Sequence, residues 1–322
     1  MTTAYTDDAL SEMASRWMPS LPDSHRFRVH TDTSDFFQVD YGHIVILGGR
    51  PYLIRQSAKE GRFGLDDEVK HWVKRGIDLE KGTACFIKLV FYEKFNTSIG
   101  GIEFECFRSP RKEARILDLV RGHPHFMQGF WVTDEKDNVI RILDVIHGKT
   151  LARHVEEIDV DHADYFHKRF PAILRGFIDS VSAIRFLHDH GEKHGDIRRD
   201  HLLVDSDTGA YRWIDFDFNY RHRENIYGYD LFGLGNILMF LVGKGDVLVQ
   251  DIARRNPDVA ERLTEGDVNI VFHNRVANIQ KVYPYVPASL NRVLLHFARS
   301  THRFYDHTRQ MLDDLVDCAA SL

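Results

Sequence analysis

Short apolar runs rich in β-branched and aromatic residues, set between glycine turns, mark the first half of the chain as sheet-rich, and a helical pattern takes over in the second. His43-Ile44-Val45-Ile46-Leu47, then Gly48-Gly49, then Tyr52-Leu53-Ile54 predicts a hairpin, because the two glycines can take the positive φ of a tight turn. Stretches 69–79 and 83–95 are rich in β-branched and aromatic residues and predict a second strand pair, turning at Lys81-Gly82. Ser109-Pro110 predicts a helix start: Ser caps free amides, Pro suits the first helical position, and Gly122-His123-Pro124 lies past the end. A last strand is expected over 138–146. After Gly148 the spacing predicts helices over 166–190, 229–242, 247–263 and 290–320, with loops and strands over 193–218.

Composition narrows the class. With 322 residues, 43% of them hydrophobic, the chain can bury one large core or two ordinary ones. A formal charge of −6 offers no basic stripe for a phosphate backbone, so nucleic acid is not an expected partner. Cys85, Cys106 and Cys318, an odd number at unrelated spacings, read as reduced thiols and predict a cytoplasmic protein. Residues 1–30 carry Asp7, Asp8 and Glu12 and no continuous apolar core, so no secretory signal is expected. The longest apolar stretch, 231–242, is too short to span a bilayer and reads as a buried helix, so no membrane partner is expected either.

The densest chemistry lies in His194-Gly195-Asp196-Ile197-Arg198-Arg199-Asp200-His201 and, after a short apolar run, Trp213-Ile214-Asp215-Phe216-Asp217. An Asp, a polar residue five positions on, and an Asp ending a second apolar run describe a phosphoryl-transfer site. The pattern resembles the H-R-D-x-x-x-x-N and D-F-G motifs of the protein-kinase-like superfamily. The H-G-D spelling is similar to aminoglycoside-phosphotransferase-like enzymes. Leu89, Gly148-Lys149-Thr150-Leu151 and Asp230-Leu231-Phe232-Gly233-Leu234-Gly235 fall in the family's order, so the resemblance runs from about residue 50 to the C-terminus. It implies a bilobal α+β fold, a small antiparallel sheet lobe plus a larger helical lobe. The expected division is an N-terminal extension over 1–39, an N-lobe with one helix over 40–143, a hinge over 144–148 and a helical C-lobe over 149–322.

The resemblance assigns roles residue by residue. Lys88, in the apolar strand Ala84-Cys85-Phe86-Ile87-Lys88-Leu89-Val90, would hold the α- and β-phosphates of ATP; a solvent-facing edge lysine is the bland alternative. Glu113 shares a helix face with Leu117 and Val120 and would pair with Lys88, with Glu103 and Glu105 as rivals. Gly61, Phe63 and Gly64 resemble the end of the glycine-rich loop that cradles phosphates, though Asp66, Asp67 and Glu68 would repel them and a plain surface turn stays open. Main-chain groups of Asp144 and Ile146 resemble the adenine-binding hinge. Asp196 would orient the acceptor hydroxyl, Asp215 would hold Mg²⁺, and Asp230 would anchor the catalytic-loop backbone. Gly233 and Gly235 imply close packing of their helix. The implied activity is ATP-dependent phosphotransfer to a protein Ser/Thr or a small-molecule hydroxyl.

Departures from the family set the alternatives. His201 stands where the family has a magnesium-binding Asn, which points to a metal-poor site or to Mn²⁺; Asp217 stands where it has Gly and is a further candidate ligand. Phe86, two residues from Lys88 on the same strand face, stands where the family has a small residue against adenine. With His201, it motivates the alternative of a pseudokinase, a binding or scaffold protein without chemistry. Only fifteen positions separate Asp215 from Asp230 and no A-P-E motif lies between, which leaves no room for a long activation segment. Within that span Arg221, His222 and Arg223 fit either an anionic substrate or a solvated basic turn. The histidines at 188, 190, 194 and 201 match no zinc spacing.

Overall fold

The computed structural model describes residues 5–20, 26–60, 68–99, 102–221 and 225–322. The strands, in chain order, are β1 (Val29–His30), β2 (Ile44–Leu47), β3 (Arg50–Glu60), β4 (Glu68–Asp78), β5 (Thr83–Lys88), β6 (Lys94–Ile99), β7 (Ile102–Arg108), β8 (Gly129–Thr133), β9 (Val139–Asp144), β10 (Gly148–Thr150), β11 (Leu202–Asp205), β12 (Tyr211–Trp213) and β13 (Phe218–Arg221). The helices are α1 (Asp7–Ser15), α2 (Pro110–Leu119), α3 (Leu151–Glu156), α4 (His162–Lys168), α5 (Phe170–Asp189), α6 (Gly228–Gly243), α7 (Val249–Arg255), α8 (Pro257–Ala260), α9 (Ala288–Leu295) and α10 (Thr308–Ala319). The mixture of strands and helices bears out the α+β expectation, and the chain divides into two compact units.

The sheet-rich unit comprises Met1–Glu93, Arg108–Gly122 and Met127–Ile146. Its seven strands run β1-β2-β3-β4-β5-β9-β8. Lys88 sits at the end of β5 with Val73 opposite on one side and Arg141 on the other, so Lys88 and Arg141 share a sheet face. The opposite face buries Val45, Tyr52, Ile54, Ile87 and Ile142 in one core. A second core forms where Leu10, Ala14 and Met18 of the N-terminal segment meet Ile44, Ile46, Leu53 and Leu79. Helix α2 packs against β8 and β9, and its start follows the sequence logic: Pro110 opens the helix and the Ser109 hydroxyl accepts the Lys112 amide at 3.2 Å.

The helical unit comprises Lys94–Phe107, His123–Phe126 and His147–Leu322. Helix α6 is its centre, apolar on nearly every side and buried from Leu231 to Val242 with few exceptions, as expected for the longest apolar stretch. Two small sheets, β10-β11-β12 and β13-β7-β6, join the helices.

Several elements differ from the sequence reading. The strand expected over 83–95 ends at Lys88, and β6 begins only at Lys94. Strands β7, β8 and β10 and helix α3 had no sequence counterpart. The helix expected over 166–190 restarts at Phe170, where Pro171 lacks the amide needed to continue from α4. Pro257 breaks the 247–263 helix in the same way, and the side chain of Asn256 caps the new start. The helix expected over 290–320 is interrupted from 296 to 307.

Candidate active site

Candidate residues fall in both units. In the sheet-rich unit, Lys88 is buried, and its Nζ lies 2.8 Å from Glu113 Oε1. The first turn of α2 points Glu113 inward beside Leu117 and Val120, all three without meaningful exposure. The second oxygen, Oε2, accepts Arg141 Nε at 2.9 Å, and Arg141 Nη1 donates to the Val139 carbonyl at 2.8 Å. One carboxylate therefore bridges two buried cations from neighbouring strands. The rival Glu105 instead pairs with Lys94 and Arg221, at 3.0 and 3.3 Å.

Phe86 is half-buried, and the Arg75 guanidinium stands over its ring at 5.2 Å from the strand opposite. The Asp144 amide donates to the Gln128 carbonyl at 2.9 Å, so that main-chain donor of the expected hinge is already engaged; Ile146 ends the unit half-buried. Gly61, Phe63 and Gly64, with Asp66 and Asp67, lie outside the described residues, as do His222 and Arg223.

In the helical unit, Asp230 at the start of α6 is fully buried and holds the loop that carries Asp196. Its Oδ2 accepts the His194 amide and its Oδ1 the Gly195 amide, both at 2.8 Å, and His188 Nε2 donates to Oδ2 at 3.0 Å. Burial pushes the Asp230 carboxyl up, but the His188 hydrogen bond and charge, with the loop amides, outweigh it and leave it below its ordinary value. Gly195 sits at φ +88°, a left-handed conformation that explains a glycine ahead of Asp196. Gly233 packs against the same loop: a Cβ there would fall 2.6 Å from both the Cβ and the carbonyl oxygen of Ile197.

His201 links the two candidate carboxylates. Its Nδ1 lies 2.9 Å from the Asp196 carbonyl oxygen and 3.5 Å from Asp196 Oδ2, and its Nε2 lies 3.6 Å from Asp215 Oδ2. A carbonyl can only accept, so Nδ1 carries a proton, and in the neutral ring the Nε2 lone pair faces Arg198 Nη2 at 2.5 Å. Arg198 also reaches Asp196 Oδ1 with its Nε at 3.3 Å. Asp215 occupies φ +65°, uncommon for a residue other than glycine. Phe216 is buried edge-on to Phe126 and His194, and Asp217 is buried. Among the described residues no three His, Cys, Asp or Glu side chains surround a metal-sized point, so Asp215, His201 and Asp217 do not converge as a trio.

The sequence reading missed Arg141 and Arg198. The first carried the same signal as Lys88, a charge inside the apolar strand Val139-Ile140-Arg141-Ile142-Leu143. Arg221 is exposed, paired with Glu105 and stacked on Phe107 with its guanidinium 5.1 Å from the ring centre.

No family model matches the chain. Its curated relatives are protein kinases. It is 31% identical to protein kinase C eta type of Homo sapiens over 104 residues, 32% of this chain and 14% of that protein. It is 28% identical to protein kinase C epsilon type of Rattus norvegicus over 106 residues, 32% of this chain and 13% of that protein. It is 26% identical to the sperm motility kinase Tcr mutant form of Mus musculus over 115 residues, 36% of this chain and 22% of that protein. The chain thus spans less than a quarter of the length of these relatives. Over about a third of its length the chain is similar to protein kinases, and its mixed helices and strands agree with an α+β fold. Among the described residues no helix is long and apolar enough to cross a membrane.

Proposed function

We propose that this protein is a phosphotransferase that moves the γ-phosphate of ATP to a hydroxyl on a protein or small molecule. The observation that carries the reading is the placing of Asp196 and Asp215 on either side of His201, with Asp196 on a loop whose backbone Asp230 holds. Asp196 orients the acceptor O–H and takes its proton as oxygen attacks phosphorus and the bond to ADP breaks. Arg198, beside Asp196, fixes that carboxylate's direction. Lys88, held by Glu113, grips the nucleotide phosphates, and Arg141 holds the other oxygen of Glu113.

Mg²⁺ takes one or two protein carboxylates and completes its shell with phosphate oxygens and water, so the lack of a three-residue cage among the described residues is compatible with it. Asp215, projected by its left-handed backbone, is the first candidate ligand and Asp217 the second. His201, with its lone pair turned to Arg198, is a positioning residue in this reading. Bound metal would supply charge neutralisation between phosphate oxygens.

The pseudokinase reading draws on one observation, the Phe86 ring with Arg75 above it on the Lys88 face. A thermal-shift titration with ATP under Mg²⁺, Mn²⁺ or EDTA separates the two. Ligand at a hundredfold over Kd adds about 2.7 kcal/mol, or roughly 4 °C for a chain of this size. We expect that shift with Mg²⁺ and not with EDTA. Asp196→Ala should keep the shift and lose turnover. No shift in any buffer would leave the pseudokinase reading, and wild-type turnover in Asp196→Ala would remove Asp196 from the chemistry.

A further inference from the structure

The connector after Asp215 is short, yet part of it is the strand β13, and its partner comes from far away in sequence. Strand β7 of the β6–β7 hairpin pairs with it, although the hairpin lies between β5 and α2 along the chain. Alternation along β7 buries Phe104 and Cys106 on the inner side and leaves Glu103 and Glu105 more open. The inner side interlocks with aromatic rings of β13 and the start of α6: Phe104 with Tyr220 at 5.9 Å, Phe104 with Tyr229 at 5.4 Å, Tyr220 with Tyr229 at 5.1 Å, and Phe95 with Phe218 at 5.8 Å. Burial, and after it the charge of Asp196, push the Cys106 thiol up to about 11, so the hairpin's inner side lies within the field of that carboxylate.

Tyr220 is the junction. Its ring meets Phe104 of the hairpin and lies under the Lys193 ammonium at 4.3 Å. Its carbonyl accepts Lys193 Nζ at 3.1 Å, and its hydroxyl accepts the Asp230 amide at 3.5 Å. Lys193 directly precedes His194, and Asp230 holds the amides of His194 and Gly195. Contacts that begin at Phe104 therefore end on the loop of Asp196 and on the strand that follows Asp215. A connector of fifteen positions could not supply this support alone, because an isolated strand finds no partner for its backbone groups.

We propose that the β6–β7 hairpin is the built-in brace of the phosphotransfer site, with Phe104 as a positioning residue that orders β13, and through Tyr220 the Asp196 loop, without covalent modification of the connector. The proposal rests on the phosphotransferase reading for its kinetic effect and on packing alone for its structural one. The test is hydrogen exchange on the full chain, with steady-state kinetics beside it. Phe104→Ala should speed amide exchange on the order of tenfold or more at 194–196 and 218–221. It should lower kcat by about a hundredfold with the ATP KM unchanged, and Phe104→Leu should recover most of both. Phe95→Ala, at a more exposed position on β6, provides a milder variant and should speed exchange at 218–221 if Phe104→Ala does not fold. Wild-type exchange at 218–221 in a folded hairpin variant overturns the brace. A wild-type protein that binds no nucleotide overturns the phosphotransferase reading instead, and the exchange result still decides the brace.

Discussion

Glu113 and Asp230 are both fully buried carboxylates, one in each unit, and their partners differ in kind. Glu113 is balanced by two side-chain cations, Lys88 from β5 and Arg141 from β9. Asp230 is held by two backbone amides and one imidazole. The first arrangement depends on which residues occupy two strands. The second depends on the path of a loop, and tolerates any side chains there that leave the path intact. The sheet-rich unit thus stores its candidate chemistry in residue identity, and the helical unit stores it in backbone geometry.

The largest break in this comparison should come from Glu113→Ala, which strands two buried cations and should cost about 3–5 kcal/mol in denaturant unfolding. A loss under about 1 kcal/mol would mean that other groups neutralise Lys88 and Arg141 and that the bridge is incidental. On the backbone side, Gly233→Ala adds no charge and removes none, yet its Cβ would press into the Ile197 carbonyl. The overpacking cost of about 1–3 kcal/mol should exceed the helix-propensity gain of about 1 kcal/mol, giving a net loss of up to about 2 kcal/mol measured the same way. A stabilised variant would show that helix and loop have room to separate.

The smallest effect sharpens the comparison through pH. The carboxyl of Asp230 lies below its ordinary value of 3.8, so its stabilising contribution is present above that value and is lost as pH falls through the lower folded one. The stability gap between the wild-type protein and Asp230→Asn should be flat from about pH 5 upward and should narrow below about pH 4. A gap that instead grew on acidification would reverse the sign of the coupling.

How much of this was legible beforehand follows from the same contrast. Lys88 stood out because a charge inside an apolar run demands an explanation, and Glu113 because its helix had a cap, a proline and a clear inner face. Arg141 carries the same signal in its strand, a charge inside an apolar run, but nothing local marks its partner, which lies on α2. The reading of Asp230 as loop anchor came from motif order, and Gly233 from the cost of a helical glycine. The hairpin was not legible. Its polar positions Lys94, Asn96 and Ser98 blur the pattern, its start was absorbed into the run expected over 83–95, and its partner strand lies beyond residue 217. Pairing at that distance leaves no local trace. Helix breaks at Pro171 and Pro257 were readable in principle, since each proline sits inside an otherwise helical stretch.

The chain passes from one unit to the other five times, at 93–94, 107–108, 122–123, 126–127 and 146–147. Phe104 therefore leaves the ribosome 114 positions before Phe218, against which its hairpin must settle. At about 5–20 residues per second, that strand waits roughly 6–23 s for its neighbour. A fragment begun at residue 149 would inherit β13 with no hairpin to receive it. The second half of this protein is thus not a module that could be cut out or exchanged whole, because a piece of it is encoded inside the first.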